Sequence, residues 1–333
     1  MVTPHVNGSP RADLVLEGGG VKGLGTAGAV TRLLEAGYQF PRVAGTSVGA
    51  VAAAVVAAGV DAPGLHDVMG RLDLSRVPDR RAPWLPGVSE TVGLAAVRGA
   101  YTGDYIHHWL ATELDELGVV TFGDLRRHDP GDDDRFGDDA RYSLVVMCTD
   151  VTHGRLLRLP WDYHQFHLDP DEQLVADAVR MSLSIPFFFE PCTLTDAETG
   201  ERSVIVDGGV LSNFAVEIFD RTDGKSPRWP TFGVRLFPDL PEGLGDLVPA
   251  VISPFLPTLQ LLRQVVATAL VGRDQTHLDR PGVRGRTITV DTSGVGITEF
   301  NVGRAGQQLL LDRGRDAAGT FLAQWEATQS WVV

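Results

Sequence analysis

Along most of the chain, short unbroken apolar runs alternate with longer stretches of helical spacing. This is the pattern of an α/β protein with helices packed on both faces of a sheet. Asp13 to Glu17 reads as a short buried strand entering a glycine loop, and Gly23 to Glu35 then continues with helical spacing and stops before Gly37. Arg42 to Ala44 is predicted as a second strand, followed after one tight turn by an alanine-rich helix from Val48 to Ala58 that Gly59 ends. The strand, loop and helix unit therefore repeats. Thr102 to Leu117 has the spacing of an amphipathic helix and Tyr142 to Thr149 that of a strand. Asp169 and Pro170 make an N-cap and first-turn pair for a helix running to about Ser184, where Pro186 ends it. Ser203 to Val206, Phe232 to Phe237 and Thr287 to Val290 read as further strands, and Gly303 to Trp325 as a closing helix. The expectation is a three-layer α/β/α fold around a central, mostly parallel sheet. Residues 1–11 form a flexible tail in this reading, and residues 12–326 a single domain with C-terminal helices from about 245 packed on it.

Composition narrows the partners. At 333 residues and 43% hydrophobic content the chain fills a substantial core. A formal net charge of -14 argues against nucleic acid and against purely electrostatic docking to anionic lipid. Leu247 to Val271 is the most apolar long stretch, but Pro249, Pro254, Pro257 and Arg263 make it a poor bilayer span. Met1 to Arg11 has no basic segment leading into an apolar one, so a cytoplasmic location is expected, with peripheral membrane contact compatible and a dedicated secretion route left open. The two cysteines, Cys148 and Cys192, have no metal-ligand spacing and suit buried reduced thiols. The acidic stretch Asp129 to Asp139 misses the calcium-loop template at its glycine and terminal glutamate and reads as a solvated loop. No metal or other cofactor is expected, and the oligomeric state is not legible.

The chemistry concentrates in a few glycine-rich turns. Gly45-Thr46-Ser47-Val48-Gly49 matches a nucleophile elbow, in which a serine sits on a sharp strand-to-helix turn between small neighbours. A hydroxyl there gains from the exposed amides and positive end of the following helix. The plainer alternative is a tight turn with Ser47 as an N-cap. Gly18-Gly19-Gly20-Val21-Lys22-Gly23 contains the glycine spacing of a dinucleotide site, but no carboxylate stands at the end of the second strand, where Phe40-Pro41-Arg42-Val43-Ala44 lies. It is not a phosphate-cradling loop either, because Lys22 precedes the final glycine. A glycine run whose amides converge on one oxygen fits an oxyanion hole. Lys22 either adds positive charge near that oxygen or faces solvent.

A serine nucleophile needs a base. Of nine histidines only His277 follows the candidate acid, and its polar setting, Asp274 to Arg280, suits an exposed helix end better than a cleft. The stronger partner is Asp207, which the apolar strand Val204-Ile205-Val206 delivers onto the turn Gly208-Gly209. Alone, an aspartate before two glycines is also an ordinary turn-former.

Together these blocks resemble the patatin-like phospholipase family over nearly the whole chain. Leu14 to Gly23 is similar to the family's oxyanion-hole segment, Gly45 to Gly49 to its nucleophile elbow, and Asp207-Gly208-Gly209 to its catalytic aspartate motif. Ala178-Val179-Arg180-Met181-Ser182-Leu183-Ser184-Ile185-Pro186, continuing through Phe187 to Pro191, is similar to the block that precedes the aspartate. Asn213-Phe214-Ala215 departs from the usual proline at its third place. The resemblance implies lipid acyl-ester hydrolysis of phospholipase A or lipase type through a Ser47–Asp207 dyad without histidine. The readings that remain beside it are an esterase or thioesterase acting on soluble acyl substrates, and a non-catalytic lipid-binding or regulatory protein on the same fold. Candidate acyl-chain contacts are Ile185 to Phe189, Trp84 to Val97 and Leu259 to Leu270, each of which also fits plain core, and Trp84 to Val88 is the candidate interfacial loop.

Overall fold

The computed structural model describes residues 9–80, 99–127, 141–221, 223–237, 281–296 and 299–330. His277, the Trp84 to Val97 and Leu259 to Leu270 stretches and the acidic run from Asp129 lie outside the described residues. The repeated unit is present as β1 (Asp13–Leu16), α1 (Gly23–Glu35), β2 (Val43–Thr46) and α2 (Val48–Ala57). The helices α3 (Ala62–Arg71) and α4 (Asp104–Glu116) precede β3 (Leu144–Asp150) and β4 (Arg155–Leu159). Then come α5 (Val175–Ser182), β5 (Cys192–Thr195), β6 (Arg202–Asp207), β7 (Thr231–Phe237), α6 (Pro281–Arg284), β8 (Thr287–Asp291) and α7 (Arg304–Ser330).

Among the described residues the strands form one eight-stranded sheet in the order β5-β6-β3-β2-β1-β7-β8, with β4 on β3. The pairs from β3 through β2, β1 and β7 to β8 are parallel, while β4, β5 and β6 join antiparallel. Every residue of β1, β2 and β3 is buried. Since successive side chains point to opposite faces, both faces of the sheet centre are covered, which is the three-layer arrangement expected. α2 accounts for part of the cover, since Gly49 to Val56 are all buried and its small residues allow close packing. α7 lies across α1 at a close crossing. A Cβ on Gly28 would stand 2.1 Å from the Leu311 carbonyl oxygen, and one on Gly314 2.0 Å from that of Gly25.

Local departures from the sequence reading have identifiable causes. The helix expected from Asp169 is split. Asp169 does cap a turn, accepting from the Asp171 amide, but Gln173 and Leu174 are extended and α5 begins only at Val175. The intervening residues pair with a distant segment: the Phe122 amide donates to Gln173 and the Val175 amide to Val120. Pro10 and Arg11, assigned to the tail, are held against Gln39, whose amide donates to the Pro10 carbonyl at 2.8 Å. Cys148 is buried, Cys192 only half-buried, and both are free thiols.

Candidate active site

The sheet brings the two candidate residues together through one strand. β3 pairs with β4 across Val146 to Asp150, so β2 and β6 must share its other edge. They run toward each other along that edge. β2 ends at Thr46 opposite Met147, and β6 ends at Asp207 opposite the next residue, Cys148. The chain then turns at Ser47 on one side and at Gly208 on the other, so a hydroxyl and a carboxyl from distant parts of the sequence meet at a single step of β3.

Ser47 is 4% exposed and has φ 53° and ψ -127°, a left-handed backbone conformation that a serine adopts only under constraint. It caps α2, whose first amide, that of Val48, has no carbonyl partner within the helix. The flanking glycines make the turn feasible: a Cβ on Gly45 would lie 2.4 Å from the Gly49 oxygen, and one on Gly49 2.4 Å from the Leu16 oxygen. These obstacles are backbone atoms, which cannot swing aside. Gly49→Ala is therefore expected to cost about 1–3 kcal/mol of stability and to displace Ser47, so thermal melting and fluorophosphonate reactivity of this serine should fall together.

Asp207 is 1% exposed. Its Oδ1 accepts from the Gly209 amide at 2.8 Å, while its Oδ2 is buried and has no hydrogen-bond partner among the described residues. Burial pushes its carboxyl up to about 7, against the smaller opposing effects of the Ser47 hydroxyl and the Gly209 amide. Ser47 is thus near enough to influence the carboxylate, although no hydrogen bond of normal geometry closes between them.

The glycine loop after β1 sits alongside. Gly18 fits because its missing Cβ would fall 2.5 Å from Asn213 Oδ1 and 2.9 Å from Ser47 Cβ. Asn213 Nδ2 donates to the Gly18 carbonyl at 3.1 Å, so the segment that departs from the family pattern ties the loop after Asp207 to the loop after β1. Gly19 and Gly20 precede α1 in a short turn, Gly20 with φ 56°, and their amides lie at a helix start with no carbonyl in reach along the chain. Glu17 turns inward and accepts from the Leu236 amide at 2.6 Å, fixing the base of the loop on β7. Lys22 is 4% exposed, so it does not face solvent; its charge acts on Asp291, whose carboxyl Ser293 holds below the usual range.

Beside Ser47 a cavity of about 40 Å³ is lined by Gly20, Val48, Met69, Ile106, Ile185 and Phe300 among other residues, almost all of them apolar. Ile185 and Phe189, expected as core or acyl contacts, are buried and line this cavity. No described histidine lines it. His107, His153 and His167 are instead paired with Asp177, Asp150 and Asp196 elsewhere. Sequence reasoning assigned no role to Asn213, Ser182 or Ser184, whose contacts reach across the fold. The resemblance of the Ala178 to Pro186 block was the signal available for the last two.

The model of the family described as Patatin-like phospholipase matches residues 14–220. The protein YqhO of Bacillus subtilis is 34% identical over 314 residues, covering 94% of this chain and 98% of its own. The NTE family protein Rv2565 of Mycobacterium tuberculosis is 49% identical over 322 residues, 93% of this chain; the chain spans only 46% of that longer relative. The crystal structure of VipD from Legionella pneumophila superposes with a TM-score of 0.51 at 17% identity, covering 95% of this chain and 67% of that one, a likeness of fold. The chain belongs to the patatin-like phospholipase family, and that membership supports lipid hydrolase activity. No helix among the described residues is long and apolar enough to cross a membrane.

Proposed function

We propose that the chain is a serine lipid acyl hydrolase of phospholipase A or lipase type that works through a Ser47–Asp207 dyad. The observation that carries the reading is a buried carboxyl, pushed up to about 7, next to a serine held in a strained turn at a helix N-terminus. Ser47 Oγ attacks the ester carbonyl while Asp207 takes its proton. The amides of Gly19, Gly20 and neighbouring residues receive the oxyanion, and Asp207 returns the proton to the departing alcohol. Water, deprotonated by the same carboxylate, then attacks the acyl-enzyme, and Asp207 returns the proton to Ser47 Oγ as the acid is released. A normal aspartate is a poor base for a hydroxyl, and desolvation lifts Asp207 toward working pH. Because only the ionised form accepts a proton, activity should rise with pH through about 7. Labelling with a fluorophosphonate followed by peptide mapping tests this: modification at Ser47 is expected, and turnover of esters with Ser47 left unmodified would defeat the reading.

The size of the cavity favours one variant of it, an esterase or thioesterase for short, soluble acyl groups. Among the described residues the cavity measures about 40 Å³, room for roughly three water-sized groups, so a longer chain would displace the part of the wall that these residues form. Phe300 is half-buried and touches Phe188 ring to ring at 5.5 Å, which makes it the wall's most readily removed piece. Phe300→Ala should raise kcat/KM by roughly threefold to fourfold for each further methylene admitted, measured on p-nitrophenyl esters of increasing length. A rise in wild-type activity on micelles would favour the lipid substrate, and its absence the soluble one.

A further inference from the structure

We propose that Ser182 is a positioning residue that holds Ser47 in reach of Asp207, an inference that rests on the dyad reading above. The left-handed turn at Ser47 takes its amide out of the β2 ladder, and a buried amide without an acceptor would pull the backbone back toward an ordinary conformation. Ser182, fully buried in the last turn of α5, supplies the acceptor: the Ser47 amide donates to its Oγ at 2.8 Å. The same hydroxyl donates to the Met147 carbonyl at 2.7 Å, at the step of β3 where β2 and β6 meet. Two residues on, the Ser184 carbonyl accepts from the Asp207 amide at 2.9 Å. Ser182 and Ser184, with one residue between them, therefore hold the backbones of both partners.

The bonding of Ser182 is not what a serine in a helix does by default. Ser184 Oγ does follow the default, returning to the Arg180 carbonyl four residues back at 3.1 Å while accepting from Arg180 Nη1 at 2.7 Å. Ser182 spends both its donor and its acceptor on other elements, one on β3 and one on the β2–α2 turn. Arg180 fixes the stretch from outside, donating also to the Glu190 carbonyl at 3.1 Å. Ser182 does not line the cavity beside Ser47, so its effect on the reaction runs through the position of Ser47.

The test is the rate of fluorophosphonate labelling, with kcat and KM on a p-nitrophenyl ester, for wild type, Ser182→Ala and Ser182→Thr. Each is measured well below its own melting temperature. Ser182→Ala is expected to lose about 10²-fold in both labelling rate and kcat, the scale of an ångström-sized misplacement, with KM within a few-fold of wild type and Ser182→Thr restoring at least a tenth of the activity. Should the alanine variant not fold, Ser182→Thr against its near-isostere Ser182→Val gives the same comparison of hydroxyl with none. A labelling rate within threefold of wild type without the hydroxyl, a loss confined to KM, or equal losses with and without the hydroxyl would each overturn the role of Ser182. A wild type that fluorophosphonate does not label at all would instead remove the dyad reading beneath it.

Discussion

Asp207→Asn is expected to abolish most ester hydrolysis and at the same time to make the protein more stable at alkaline pH. The loss should be about 10²–10⁴-fold in kcat, the usual worth of a positioned base, because an amide cannot take the Ser47 proton. The gain follows from linkage. The Asp207 carboxyl is raised in the fold from 3.8 to about 7, so the fold favours its protonated form. That contribution is fully present below the unfolded value and is lost as pH rises through about 7, where ionising a fully buried carboxyl costs the fold roughly 2–4 kcal/mol. Asparagine keeps the acceptor for Gly209 and never ionises. Melting temperatures at pH 5 and pH 8.5 check the sign: the variant should lie close to wild type at the lower pH and clearly above it at the higher. A variant no more stable than wild type at pH 8.5 would mean that Asp207 is not a strained, desolvated base.

The second large effect concerns stability alone. Asp13 opens β1 and is 1% exposed; Arg42, just before β2, is 7% exposed, and its Nε donates to Asp13 Oδ1 at 3.0 Å while Nη2 donates to Oδ2 at 2.5 Å. The guanidinium also lies 4.9 Å from the centre of the Phe219 ring, so aromatic surface covers one flank. Removing the carboxylate takes away the two hydrogen bonds and the ion pair that offset the desolvation of the buried guanidinium. Asp13→Ala should therefore cost about 3–5 kcal/mol, read from denaturant unfolding. The double variant Asp13→Leu with Arg42→Leu should recover much of that loss, because the cost comes from the desolvation of the guanidinium that the ion pair offsets and less from losing the attraction.

What the sequence made legible was local. The β1–loop–α1 and β2–elbow–α2 units are written in adjacent apolar runs, glycines and helix-stop signals, and the strand that carries Asp207 is equally plain. α3 is not among the elements read from the sequence; in the structure Asp61 caps it, its Oδ1 accepting from the Gly64 amide. What else escaped is set by partners far along the chain. The split before α5 depends on Val120 to Phe122. Four-residue β5 exists as a strand because β6 lies beside it. Whether Lys22 faces solvent is decided by α1 packing beside β8 and α7, and the bond from Ser47 to Ser182 spans 135 positions. Sequence spacing could name Ser47 and Asp207 as candidates, but only the shared edge of β3 shows that they meet.

The most direct test of the central claim is hydrolysis of a medium-chain p-nitrophenyl ester by wild type, Ser47→Ala and His277→Ala, each checked for folding by circular dichroism. Activity lost in Ser47→Ala, by roughly 10⁴-fold or more, and unchanged in His277→Ala is the predicted result. Loss in His277→Ala would replace the dyad with a conventional triad, and hydrolysis surviving in Ser47→Ala would contradict the account at its root.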